Sequence, residues 1–159
     1  MKREELARWL KLVIIFAALL GLFLCFVYAP GIGHDYVSMY PELDYMFLPC
    51  LIFIWLTAVP FYFTLHKAWL ICQEISRDNS FCSGNAKRLK VIGKLAFSEC
   101  ILYLAGMIIL CTMNFLEPGV FFIIMFIIFV GVSIGIVSAT LSHLVEKASK
   151  LKEENDLTI

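Results

Sequence analysis

Residues 118–144 read PGVFFIIMFIIFVGVSIGIVSATLSHL, a run that contains no Asp, Glu, Lys or Arg. A helix that crosses about 30 Å of hydrocarbon needs about 20 residues, because each residue adds about 1.5 Å along the axis. This run is long enough. Three further apolar runs precede it, at about residues 9–29, 46–71 and 93–113. The four runs predict four transmembrane helices.

The composition agrees with a membrane protein. Of the 159 residues, 61% are hydrophobic, and the mean hydropathy is +0.86. Soluble globular domains are typically about 45–50% apolar. The four runs use most of the chain and leave no room for a separate soluble domain. We therefore predict a single domain, residues 1–159, with an all-α fold: a four-helix transmembrane bundle.

The charges predict the orientation of this bundle. All 13 Lys and Arg residues fall on one side of the four runs: in the N-terminal tail, the middle segment and the C-terminal tail. The other two connections, residues 30–45 and 114–117, contain none. Their full charges are Asp35, Glu42, Asp44 and Glu117. By the positive-inside rule we predict that both termini are cytoplasmic and that the protein resides in the inner (plasma) membrane.

Local signals predict where some helices end. The stretch Pro30-Gly31-Ile32-Gly33 is typical of a loop, so we expect it to end the first helix. Pro60 removes one backbone hydrogen bond inside the second helix and predicts a structural kink there. Ser83 is a candidate N-cap for a helix that begins near residues 84–85 and continues into the third span.

The sequence contains no recognisable catalytic or metal-binding pattern. Its six cysteines form no C-x-x-C pair and no metal-ligand spacing, and we interpret them as free thiols. A disulfide between Cys50 and Cys111 is the alternative. No Gly-rich phosphate loop, H-E-x-x-H or G-x-S-x-G is found. We therefore expect a non-enzymatic protein without catalytic residues, cofactor or metal.

Glu99 is the only carboxylate inside a predicted span. It lies about 8 Å past the inner interface, by the rise of the helix. Lys67, near the end of the second span, is expected at a similar depth, so a Glu99–Lys67 pair is one interpretation. An acid inside the membrane is costly and often functional, so the alternative is a proton or ligand site.

The fourth span contains a G-x-x-x-G motif, formed by Gly131 and Gly135. Such a motif predicts close contact between two helices. The contact lies either inside the bundle or between protomers of a homo-oligomer formed through the fourth helix.

The middle segment, residues 73–94, carries four closely spaced cations on its predicted pre-membrane helix. They are Lys87, Arg88, Lys90 and Lys94. One interpretation is a collar that anchors the third span to anionic lipid, each cation contributing about 1 kcal/mol. The other is a docking surface for a cytosolic partner.

Within this segment, residues 81–93 read FCSGNAKRLKVIG. This stretch, placed between the second and third spans, resembles the signature of a family of small four-span bacterial membrane proteins, domain-of-unknown-function family 2975 (DUF2975). The matching positions are Phe81, Asn85, Arg88, Leu89, Ile92 and Gly93. Members commonly carry a Gly and a Pro just before the Phe, where this chain has Asp78-Asn79-Ser80.

The resemblance implies a partner more than an activity, because the family has no assigned activity. Its genes often neighbour one for a small Cro/C1-type helix-turn-helix regulator. This implies a membrane partner or sensor that recruits the regulator at the cytoplasmic face, without contacting nucleic acid itself. The candidate partner-binding residues are Phe81, Asn85, Arg88 and Leu89, although Phe81 could instead fold back against the bundle. The alternative function is a small transporter or permeability modulator that uses Glu99.

Overall fold

The computed structural model describes residues 3–77 and 79–156, and every regular element in these two ranges is helical. Four of its helices are long and apolar enough to cross a membrane. This confirms the predicted all-α membrane fold. The elements are α1 (Arg3–Phe23), a π-helical turn (Leu24–Tyr28), α2 (Ala29–Met39), a short 3-10 helix (Pro41–Leu43), α3 (Asp44–Ser76), α4 (Ser83–Thr112) and α5 (Pro118–Asp156).

The helices pack in the order in which they occur in the chain. Helices α1 and α2 contact α3, α3 contacts α4, and α4 contacts α5. Within the described residues, α1 comes within 8 Å (Cα to Cα) of neither α4 nor α5. The bundle is therefore open, and its first and last helices each have only one membrane-spanning neighbour.

Contrary to prediction, Pro30 does not end the first helix, which continues as α2 to Met39. The π turn Leu24–Tyr28 precedes this proline. In a π turn the carbonyl of Cys25 would accept a hydrogen bond from the backbone N–H of residue 30, which proline lacks. The indole Nε1 of Trp55 on α3 donates to that carbonyl instead, at 3.2 Å. A neighbouring helix thus supplies the hydrogen bond that proline removes.

The start of α4 also differs from the prediction by one residue. Ser83 is the first helical residue, and Cys82 is the N-cap, without a side-chain capping bond. The carbonyl of Cys82 already accepts from the backbone N–H groups of Asn85 and Ala86, at 3.0 and 3.3 Å. The helix therefore begins where the backbone, and not the Ser83 hydroxyl, provides the first bonds.

Helices α4 and α5 meet along a seam of small residues. A Cβ atom placed on Gly93 of α4 would lie 3.3 Å from the carbonyl oxygen of Gly135. One placed on Gly131 would lie 2.6 Å from Sγ of Cys100. The small residues buried in this seam recur at spacings of three, four or seven residues on both helices, as in an antiparallel heptad seam. They are Ala86, Gly93, Ala96 and Cys100 on α4, and Gly135, Ser138, Ser142 and Ser149 on α5.

The G-x-x-x-G motif therefore lies against α4 of the same chain. Gly135 also faces the ring of Phe97, 2.9 Å from the position of an added Cβ. Further along the seam, Ser142 donates a hydrogen bond to the carbonyl of Ala86 at 2.7 Å. These contacts fix the end of α5 beside the start of α4, where the candidate site lies.

Candidate functional site

Most of the basic residues and several buried polar side chains share one end of the molecule. We call this end, comprising residues 73–94 and 142–154, the basic end. Asn85, Ser142 and Ser149 are buried there. A buried polar group is costly unless it is hydrogen-bonded, so their partners show how this end is held together.

Asn85 closes the turn between α3 and α4. Its side chain is only 1% exposed. The amide Nδ2 donates to the carbonyl of Ser80 at 3.1 Å, and Oδ1 accepts from Nη1 of Arg88 at 2.8 Å. Both halves of the amide are therefore used, one on the turn and one on the helix.

Arg88 extends this network to the end of α3. Its Nη1 lies 3.6 Å from Oε1 of Glu74, and the two side chains are 26% and 19% exposed. The other carboxylate oxygen of Glu74 accepts from Nδ2 of Asn79 at 3.3 Å, and the backbone N–H of Asn79 donates to the Glu74 carbonyl. Glu74 thus joins the guanidinium, through an ion pair, to the turn, through a hydrogen bond from Asn79 to its carboxylate; hydrogen bonds to a charged group are stronger than neutral ones.

These positions change the role expected of the family signature. Asn85 is buried and Arg88 is engaged on several sides, so direct contact with a partner, as predicted for them, does not fit the structure. Leu89 is half-buried. Phe81 lies at the tip of the turn and is 59% exposed, so it does not fold back against the bundle. In the family signature, Phe81 is therefore the exposed side chain, and Asn85 and Arg88 hold the turn that carries it.

A cavity of about 230 Å³ opens beside Phe81. Its walls come from two parts of the chain. The turn contributes Asn79, Phe81, Cys82 and Ser83, and α5 contributes Ser149, Lys152 and Glu153. The sequence did not lead us to expect a contribution from this part of α5. The signal that could have found it is Ser149, which lies seven residues after Ser142 and continues the small-residue row.

Glu99 lies elsewhere, in the middle portion of α4. Its Oε2 is buried and has no hydrogen-bond partner. Among the described residues, the ion pairs within 4.0 Å join Arg88 to Glu74 and Lys150 to Glu146. The structure therefore does not bring Lys67 to Glu99, and the predicted pair is not formed.

The cysteines and the acidic groups form no further cluster in the described ranges. All six thiols are free, including Cys50 and Cys111, so the alternative disulfide is absent. No group of three or more His, Cys, Asp or Glu side chains is arranged to hold a metal ion in residues 3–77 and 79–156. The features that remain are the turn at the basic end, its cavity, and the buried oxygen of Glu99.

The opposite end of the molecule, which we call the acidic end (residues 29–47 and 113–119), is joined differently. Helix α2 has no buried residue. Tyr36 donates a hydrogen bond from its hydroxyl to Oε2 of Glu117 at 2.6 Å, between two exposed side chains. A Cβ atom on Gly33 would lie 2.5 Å from the ring of Phe47. The contacts here join exposed or half-buried side chains.

Comparison with known proteins agrees with the resemblance carried by residues 81–93. The family described as "Protein of unknown function (DUF2975)" matches residues 31–159. An uncharacterized membrane protein, YoaS, of Bacillus subtilis (strain 168) is 30% identical over 153 residues, which cover 95% of this chain and 96% of that protein. No solved structure matches the chain. The chain belongs to the DUF2975 family of membrane proteins.

Proposed function

We propose that this protein is a non-enzymatic membrane partner for a cytosolic transcriptional regulator, which docks at the basic end. The docking surface consists of the residues around the cavity: Asn79, Phe81, Cys82, Ser83, Ser149, Lys152 and Glu153. The observation that carries the proposal is the presentation of Phe81, an exposed aromatic side chain on a turn held by a buried polar network.

Phe81 has the properties of an interface anchor. Burying a Phe side chain that is otherwise exposed to water contributes about 1.5–3 kcal/mol. Interfaces draw most of their binding energy from a few such side chains, which enter pockets on the partner. The bonds of Asn85 and Glu74 fix the turn before binding, so less conformational entropy is lost when a partner associates.

The charged residues at the edge of the cavity would determine the orientation in which a partner binds. Lys152 and Glu153 place opposite charges on the α5 side of the cavity, while the turn provides the aromatic group. A complementary arrangement of charges on a partner would orient it and suppress wrong partners. The positive-inside rule favours a cytoplasmic location for this end. The candidate partner, a small helix-turn-helix regulator, is the one that the family resemblance implies.

The direct test is site-specific crosslinking in cells that also express a candidate regulator of the Cro/C1 helix-turn-helix type. A photo-reactive residue at Ser83 is expected to capture that regulator. Phe81→Ala should reduce its recovery at least tenfold, because it removes the anchor. Phe122→Ala is the matched control, since Phe122 is an exposed aromatic on α5 outside the basic end.

Two outcomes would contradict this proposal. One is a failure to recover the regulator from position 83 at matched protein levels. The other is equal recovery from the wild type and from the Phe81→Ala variant. Either result would show that the regulator does not bind at the docking surface.

The second candidate function is a small transporter or permeability modulator that uses Glu99. It is favoured by one observation, the buried Oε2 without a hydrogen-bond partner, since an unsatisfied acid inside a span is costly to keep. Glu99→Gln in proteoliposomes tests it. Proton and cation fluxes that equal those of the wild type would count against this function.

A further inference from the structure

One face of α4 changes character along its length. Its exposed side chains follow a helical stripe that begins with three lysines and continues with apolar residues only. In order, they are Lys87, Lys90, Lys94, Phe97, Ile101 and Leu104, and Val91 is exposed among the lysines. The opposite face, with Ala86, Gly93 and Ala96, is buried against the bundle. The three lysines therefore lie on the surface side of α4, while Phe97, lower on the stripe, is partly exposed and also contacts Gly135 of α5.

The three lysines have no anionic partner within the described chain. The ion pairs found there engage Arg88 and Lys150, and none engages Lys87, Lys90 or Lys94. The sequence spacing places Lys87 and Lys94 about 10 Å apart along the helix axis. Long lysine side chains bend toward the membrane surface, so all three ammonium groups can reach one depth.

The change from Lys94 to Phe97 marks a boundary between water and hydrocarbon on this stripe. A lipid molecule matches both parts, because its phosphate can meet the ammonium groups while its acyl chains cover the apolar side chains below. An acidic soluble protein would match only the upper part. Clusters of cations immediately beside a membrane span are typical binding sites for anionic headgroups.

We propose that Lys87, Lys90 and Lys94, together the lysine face, bind the phosphate groups of anionic phospholipids. The lysine face shares no residue with the docking surface. It also does not depend on which end of the protein is cytoplasmic. The lipid site and the regulator site can therefore fail independently.

The experiment compares lipids that differ in charge. The full-length protein is equilibrated with equal amounts of phosphatidylglycerol and phosphatidylcholine, purified, and its retained lipids are measured by native mass spectrometry. The wild type should retain phosphatidylglycerol preferentially. We expect this preference to be lost in the triple variant Lys87→Gln/Lys90→Gln/Lys94→Gln. Each lysine that is replaced should raise the dissociation constant for phosphatidylglycerol about fivefold. The corresponding triple Arg variant should keep the preference.

A charge-matched control separates the lysine face from general attraction. Lys147→Gln/Lys150→Gln/Lys152→Gln also removes three positive charges, but from the end of α5. Because Ser142 already pairs with Ala86, these positions lie farther from the lipid boundary on α4. This variant should keep most of the preference for phosphatidylglycerol.

Any of four results would overturn the proposal. The first two are a wild type that does not prefer phosphatidylglycerol and a triple Gln variant that keeps the preference. The other two are an equal loss of preference in the α5 control and displacement of the lipid by millimolar inorganic phosphate. The last would indicate a site for free phosphate. If circular dichroism shows that the triple variant has lost its helices, Lys90→Gln alone is measured. It should weaken phosphatidylglycerol retention about fivefold, and no change would again contradict the proposal.

Discussion

The two ends of this molecule are held together by different means. At the basic end, Asn85 holds Arg88, Arg88 contacts Glu74 of α3, and the small-residue seam joins α4 to α5. At the acidic end, α2 buries no residue and is joined to the α4–α5 turn by an exposed bond between Tyr36 and Glu117. The difference indicates that specific order is concentrated where we propose that a partner docks.

The largest expected effect is on the seam. Gly93→Leu would force a large side chain against the backbone of α5, where even a Cβ atom would be 3.3 Å from the Gly135 carbonyl. We expect it to lower the free energy of unfolding by about 3 kcal/mol or more, since overpacking typically costs about 1–3 kcal/mol and α5 must also move away. Unfolding in detergent, followed by circular dichroism, measures this.

Gly31→Leu is the control at the acidic end, because an added Cβ on Gly31 meets no atom within 4 Å. It should change stability little, or raise it slightly through better helix propensity. Equal destabilisation by the two substitutions would show that the close approach of α5 at Gly93 is not what makes Gly93→Leu costly.

The second largest effect is expected from Asn85→Ala. It leaves the guanidinium of Arg88 without one acceptor and the carbonyl of Ser80 without its donor. Hydrogen bonds to charged groups contribute about 1.5–3 kcal/mol, so we expect a loss of about 2–3 kcal/mol in the free energy of unfolding. Hydrogen exchange at residues 79–85 should increase as the turn loosens.

Asn114→Gly is the companion substitution at the other turn. Asn114 has a φ of 59°, a conformation that glycine adopts without strain. It should therefore be neutral or slightly stabilising. Were Asn85→Ala just as harmless, the buried network would not support the turn, and the preorganised docking surface would lose its basis.

The membrane helices and their number could be predicted from sequence because hydrocarbon imposes a simple requirement on each segment separately. A span must be apolar and about 20 residues long, whatever its neighbours are. The family signature at Phe81, Asn85 and Arg88 was also visible. The residue types of the signature, however, do not determine which side chains are buried. Only the structure shows that Asn85 is buried and Phe81 is exposed.

The errors arise where a distant part of the chain decides the outcome. The stretch Pro30-Gly31-Ile32-Gly33 is typical of a loop, but the helix continues through it, because Trp55, on another helix, provides the donor that proline lacks. The Glu99–Lys67 pair was inferred from similar depth alone, which does not fix the direction of either side chain. The role of Ser149 depends on how α5 packs, and spacing gave only a weak sign of it.

A smaller effect is expected from Trp55→Phe, which keeps the aromatic ring but removes the donor to the Cys25 carbonyl. Hydrogen bonds between membrane helices contribute about 0.6 kcal/mol on average, so we expect a loss of about 1 kcal/mol. Hydrogen exchange should rise in residues 25–33 and stay unchanged at the basic end. A global loss of helix would show that the first helix depends on this bond far more than its neighbours suggest.

The smallest effect is expected from Tyr36→Phe. The substitution removes the hydroxyl that donates to Glu117, but both side chains are exposed to competing water. Changes at exposed positions usually stay within about 0.5 kcal/mol, so the free energy of unfolding should hardly move. A loss of about 2 kcal/mol would break the comparison of the two ends, because a single surface bond would then hold the acidic end as firmly as the buried network holds the turn. The same experiment on Glu117→Gln should agree, since the two residues form one bond.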